Sequence, residues 1–190
     1  GVGGRNQTEA KINVLNFVGS MNSMIANRSD FLMRIDSIKD MREVMNNGKI
    51  GVMIGVQNAN HFISPDDVAL FYNLGQRVSQ LTYNSRNMIG NGSTERMDGG
   101  ISDFGVKIIE KMNEVGMAVD VSHCGDQTTL DAFDISKKPV LITHSNVRAL
   151  APGHPRCKTD EAIKKMAKNG SVMGITGVRM LVKNEEPTTL

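Results

Sequence analysis

A chain of 190 residues with 39% hydrophobic and 22% charged residues has the composition of a folded domain with a real core, not of a disordered segment. Its 22 basic and 20 acidic side chains leave a formal net charge of +2, with no basic stripe for nucleic acid and no polybasic run for anionic lipid. No apolar stretch nears the ~20 residues that cross a bilayer, and the opening GVGGRNQTEAKINV lacks the charged-then-apolar layout of a secretory leader. Two cysteines, Cys124 and Cys157, are too few for a disulfide scaffold and fit a reducing compartment. That slightly favours the cytoplasm and leaves the compartment open. Self-association leaves no mark in the sequence, so a homo-oligomer stays open too.

Along the chain, residues 1–48 read as a helical and loop segment, with helices expected around 8–27 and 36–47. From Lys49 onward, short apolar runs alternate with amphipathic stretches, the pattern of βα units that build a parallel sheet. The first run, IGVMIGV, covers 50–56. A helix should then start after Ser64, with Pro65 at its first position and acids in its first turn, and close near Gly75. VSQLTY (78–83) is the next strand, followed by a glycine-rich loop over 87–100 whose length suits a lid or a site-lining segment. Ser102 precedes a stripe of Phe104, Ile108, Met112 and Val115 at helical spacing that ends at Gly116. The strands MAVDVSH (117–123) and VLITH (140–144) come next, then a helix after Thr159 with Asp160 and Glu161 in its first turn, then SVMGITGV (171–178). These strands are rich in Val and Ile with little alternation, as expected where both faces are covered. The fold class is therefore α/β with a parallel sheet, built by residues 49–190.

Two of the runs stop on a histidine. Ligands of parallel α/β folds bind where the strands end, and His123 and His144 both sit on that edge. One such histidine is ordinarily a hydrogen-bonded strand cap. Two on neighbouring strands, ~4.8 Å apart, can reach one ion, and imidazole is a usual zinc ligand. The same reasoning puts Gln57, at the end of the first strand, and Tyr83, at the end of the second, on the same rim.

The series GVQNANHF, FYNLGQRVSQLTYNSRN, GGISDFGVKIIEKMNEVGMAVDVSH, PVLITHSNVRAL and HPRCKTDEAI, in this order, resembles the membrane (renal) dipeptidase family of metallopeptidases through nearly all of the chain after residue 49. The resemblance implies a (β/α)8 barrel of the amidohydrolase type with a two-zinc site that hydrolyses dipeptides bearing a free carboxylate. It puts His123 and His144 on zinc-binding histidines, and Arg156 on the arginine that grips the substrate carboxylate. It also marks two departures: Gln57 stands where the family has a glutamate bridging both metals, and Tyr83 where it has a histidine near the reacting oxygen.

A neutral amide carries no charge to hold two dications together, so Gln57 favours one zinc over a tight pair. Tyr83 can donate one hydrogen bond to an oxyanion but does not become a cation. Both changes sit in an intact framework, which suits a divergent, bacterial-type branch of the family. The family's remaining ligands, on its first and last strands, have no counterpart here, so five of eight strands and the middle of a longer protein are expected. The resulting expectation is a zinc-dependent hydrolase of a dipeptide or similar small carboxylate-bearing substrate, with Tyr83 catalytic, Arg156 and Asn84 against the substrate, and His123, His144 and Gln57 at the metal. The alternative is a catalytically silent homologue that binds a small ligand.

Overall fold

The computed structural model describes residues 6–182. The outer ends of the two expected segments, 1–5 and 183–190, lie outside the described residues. Helix α1 (Gln7–Asn27) begins where the Asn6 side chain accepts from the Glu9 amide. It presents Val14 and Val18 to the core. Strand β1 (Leu32–Arg34), helix α2 (Ile38–Asn47) and strand β2 (Ile50–Val52) follow, and β1 pairs with β2 in a small parallel sheet of its own. The segment expected as helix and loop thus holds a strand as well. Three residues of intermediate burial are too few to show a period-two pattern.

The main sheet has five parallel strands in sequence order: β3 (Ile54–Gln57), β4 (Gln76–Gln80), β5 (Ala118–Asp120), β6 (Leu141–Ser145) and β7 (Val172–Ile175). Consecutive neighbours joined by helices are what right-handed βα crossovers produce, and they form one arc of a barrel wall. Helices α3 (Pro65–Asn73), α4 (Asp103–Val115), α5 (Asp126–Ile135) and α6 (Asp160–Lys168) link these strands in turn, and the short α7 (Arg179–Val182) closes the described chain. The helix starts follow the sequence. Ser102 and Thr159 accept from the amides of Gly105 and Ala162, while the Asp67 carboxylate reaches back to the amides of Ile63 and Ser64.

Strand lengths differ from the apolar runs. IGVMIGV is two strands, since β2 pairs with β1 while β3 pairs with β4, and Met53 lies between them. The second and third runs leave the sheet early, at Gln80 and Asp120, so Tyr83 and His123 each lie three residues past a strand. Their apolar neighbours Leu81 and Val121, both 0% exposed, lie just past the strand bounds and still give their amides to Asp120 O and Leu141 O of the next strand.

Ile54, Val56, Val119 and Ile142 of the sheet join Phe62, Phe71, Ile108, Met112 and Phe133 of the surrounding segments in one core cluster. A cavity of about 310 Å³ lies among Met53, Gln57, Val78, Asp120, Thr143 and His144. At the margins of the arc, Met53 of the β2–β3 link and Val172 and Ile175 of β7 are exposed. Among the described residues, no helix is long and apolar enough to cross a membrane.

Candidate metal centre

Five chain segments bring the site together. Gln57 ends β3, Tyr83 and Asn84 follow β4, His123 lies in the turn after β5, His144 is within β6, and Arg156 comes from the loop before α6. The Nε2 atoms of His123 and His144 stand 2.9 Å apart, and the Gln57 side-chain nitrogen lies 2.7 Å from the first and 3.1 Å from the second. The three residues read from the sequence as metal ligands therefore meet at one point.

The far side of each ring is occupied. His123 Nδ1 is 2.7 Å from Asn84 Oδ1, and His144 Nδ1 is 2.9 Å from Thr143 Oγ1. With the Asn84 oxygen facing it, His123 donates from Nδ1 and keeps its lone pair on Nε2. Both rings stay neutral near neutral pH. Burial first, then the charge of Arg156, pushes His123 down to about 3; burial also lowers His144, with the Asp120 charge opposing.

Tyr83 stacks on His123, with ring centroids 4.2 Å apart and planes 20° from parallel, so it forms a wall of the site. Asn84, expected against a substrate, has its side-chain oxygen on His123 Nδ1. Arg156 is buried rather than solvated. Its guanidinium donates to the Ser122 carbonyl and, at 3.2 Å, to the His144 carbonyl, which spends two of its five donors on the backbone beside both histidines.

The loop over 87–100 is braced on several sides. Asn87 donates to Leu81 O and Asn58 Oδ1, Asp98 accepts from the Gln127 amide and the Thr128 hydroxyl, and the Ser93 amide donates to the His123 carbonyl. Gly92 is required there, because a Cβ would fall 2.1 Å from the Asn84 carbonyl oxygen and displace the Tyr83–Asn84 turn.

Two functional neighbours escaped the sequence reading. Lys158 is 2% exposed and gives its three protons to Val121 O, Cys124 O and Thr129 Oγ1 at 2.7, 2.9 and 2.8 Å, clasping the turn that carries His123. Burial pushes its pKa down to about 8. Asp120, 4% exposed at the end of β5, accepts from Ser122 and Thr143. An acid inside an apolar strand, three residues before His123, was the available signal for it. Lys158 gave none, since a lysine beside a helix start reads as surface. The loop that bears Arg156 and Lys158 is tied down by a fork from Arg148 to both Asp126 oxygens, at 2.5 and 2.6 Å, and by Arg148 to Cys157 O.

The donor set suits part of a zinc site. Two imidazole lone pairs aimed at each other repel unless a cation or a donor sits between them, and here the Gln57 amide faces both. The oxygen and nitrogen of that amide exchange by a half-turn, which would offer a neutral oxygen ligand instead. Among the described residues, no group of three or more His, Cys, Asp or Glu side chains could hold an ion. The remaining donors of a three- or four-ligand site are thus not found among them.

Comparison with known proteins shows what the chain is similar to. The chain is 33% identical over 171 residues to the dipeptidase verJ of Clonostachys rogersoniana, covering 88% of this chain and 44% of that one. It superposes on an amidohydrolase of Pseudomonas aeruginosa with a TM-score of 0.81 and 36% identity, covering 90% of this chain and 50% of the other. A metallo peptidase of Rhodobacter sphaeroides, solved with a phosphinate mimic of the dipeptide L-Ala-D-Ala, shares the fold at a TM-score of 0.86 and 19% identity, over 94% of this chain and 52% of its own. The chain spans about half the length of these relatives. The profile of the membrane dipeptidases, peptidase family M19, matches residues 4–190, and the chain belongs to that family.

Proposed function

We propose that this chain supplies the central units of a (β/α)8 metallohydrolase that cleaves the amide bond of a dipeptide or similar small carboxylate-bearing substrate. The observation that carries the reading is the convergence of His123 and His144 with their Nε2 atoms 2.9 Å apart and their Nδ1 atoms committed to oxygen partners. Structural histidines have no need of that arrangement. His123 and His144 would hold the metal, with Gln57 as a weak third donor. When bound, zinc supplies Lewis acidity toward the scissile carbonyl and toward water.

The protein's own groups divide the remaining work. Asn84 orients His123, and Tyr83 packs on that ring and offers a phenol at the open side, where it can donate to an oxygen that gains charge. Arg156 keeps donors beyond those on Ser122 and His144 and adds positive charge beside the site, which favours a substrate carboxylate. Gln57, uncharged, favours a single ion over a tight pair.

The same Gln57 supports a second reading, a silent homologue that retains the pocket without the bridging acid. Metal content and turnover of several dipeptides, measured on one sample of the full-length protein, separate the two. The hydrolase reading expects bound metal and turnover, with metal content rising in Gln57→Glu as a bridging carboxylate is restored. Absence of both metal and turnover would overturn it.

A further inference from the structure

His123 follows β5 and His144 lies within β6, yet the registered pairing of these two strands is a single couple, Asp120 with Leu141. Beyond it, side chains take over from the ladder. Asp120 Oδ1 accepts from the Ser122 amide at 3.0 Å, the Ser122 hydroxyl at 2.6 Å and the Thr143 amide at 3.2 Å, while Oδ2 accepts from the Thr143 hydroxyl at 2.7 Å. The Ser122 hydroxyl in turn accepts from the His144 amide at 3.1 Å.

Counting protons decides the direction of the remaining contact. Each hydroxyl has one proton, and a carboxylate only accepts. Ser122 Oγ and Thr143 Oγ1 also stand 3.1 Å from each other, but each lies closer to the Asp120 carboxylate, at 2.6 and 2.7 Å, and the charged acceptor takes both protons. Thr143 Oγ1 therefore meets His144 Nδ1, 2.9 Å away, with a lone pair. His144 must donate from Nδ1, and its Nε2 lone pair then faces His123 and Gln57.

We propose that Asp120 and Thr143 form a carboxylate–hydroxyl–imidazole relay that sets the tautomer of His144 and so prepares Nε2 as a ligand. The effect on metal affinity rests on the metal-centre reading; the tautomer itself does not. Asp120 is a positioning residue here, since it reaches the ion only through Thr143 and His144. Without the Thr143 oxygen, Nδ1 loses its protein acceptor and keeps only solvent, and His144 gains by moving its proton to Nε2, where the His123 lone pair waits at 2.9 Å. That state turns a ligand into a donor.

The test uses full-length protein labelled with 15N at histidine, stripped of metal and held near neutral pH, with the His144 ring resonances assigned by their loss in His144→Gln. The relay expects an Nδ1–H tautomer at His144 in the wild type. Thr143→Val should shift it toward Nε2–H and weaken zinc binding by about 10–100-fold, the range for partners that orient metal-bound histidines. Thr143→Ser, which restores the hydroxyl, should recover both, and circular dichroism of the valine variant should match the wild type. An Nε2–H tautomer in the wild type, a valine variant with unchanged tautomer, or unchanged zinc affinity in that variant where the wild type binds zinc, would overturn the relay. If the wild type binds no zinc but its tautomer responds as stated, the relay is supported and the metal-centre reading fails.

Discussion

His61 and His123 are buried and His144 half-buried, and they show what separates a packing histidine from one proposed as a ligand. His61 is 0% exposed, lies 4.1 Å from Phe62 and 4.6 Å from Phe71 between ring centroids, and has both ring nitrogens met by protein groups, the Asn58 carbonyl and the Gln76 side-chain amide. His123 and His144 give one nitrogen to a protein oxygen and turn the other toward each other. Burial depresses both kinds, to about 4 at His61 and about 3 at His123. Low basicity therefore does not identify the ligands. The partner of the second nitrogen does.

The sharpest way to break this contrast is substitution by alanine on each side of it. On the proposed reading, His123→Ala or His144→Ala should abolish metal binding while the unfolding midpoint in urea moves little, because the lost Nε2 faces the other histidine and Gln57 and not the core. His61→Ala should do the reverse, costing about 2–5 kcal/mol for a large buried ring replaced by a cavity while metal content stays at the wild-type level. Atomic absorption and urea unfolding of the three variants read both quantities. Metal retained at full content by His144→Ala would remove the contrast.

A smaller effect is expected at Lys158, which supports the His123 turn from behind. Lys158→Met leaves the carbonyls of Val121 and Cys124 without their donor, at about 1–3 kcal/mol for each buried group left unmade. Urea unfolding should show this loss together with weaker metal binding, since the same turn carries His123. Unchanged metal affinity would mean that the turn holds its shape without the lysine.

The smallest expected effect is a slope. The folded state holds His61 neutral down to about pH 4, whereas the unfolded chain protonates it near 6.5. Between those values the unfolded state binds more protons, so stability falls as pH is lowered through that window. His61→Phe should flatten the slope between pH 6.5 and 4 by its share, His123 and His144 contributing in the same sense. An equal slope in wild type and variant would show that His61 does not remain neutral in the fold.

Much of the framework was legible because it depends on local patterning. Val and Ile runs at βα spacing announced five parallel strands, and Ser102 and Thr159 marked helix starts whose cap bonds are present. Gln57, Tyr83, His123 and His144 were named together because strand ends share one rim. Their strand ends were misplaced at Tyr83 and His123, since a buried apolar residue such as Leu81 or Val121 is equally at home just past the end of a strand. The division of IGVMIGV between two sheets was invisible for the same reason: periodicity records burial, not which neighbour supplies the hydrogen bonds.

By itself the sequence determined the fold class, the family and the identity of the residues at the centre, because these follow from short-range pattern and from motifs whose order is preserved along the chain. Only the tertiary structure decided what each residue spends its hydrogen bonds on. Asn84 turned out to orient His123, Arg156 to hold the backbone beside both histidines, and Lys158 and Asp120 to support the turn and the tautomer from positions that read as a surface lysine and an ordinary strand residue. The physical reason is that a hydrogen bond is directional and exclusive. Which donor meets which acceptor depends on distances of a few tenths of an ångström between segments far apart in the chain, and no local pattern encodes them.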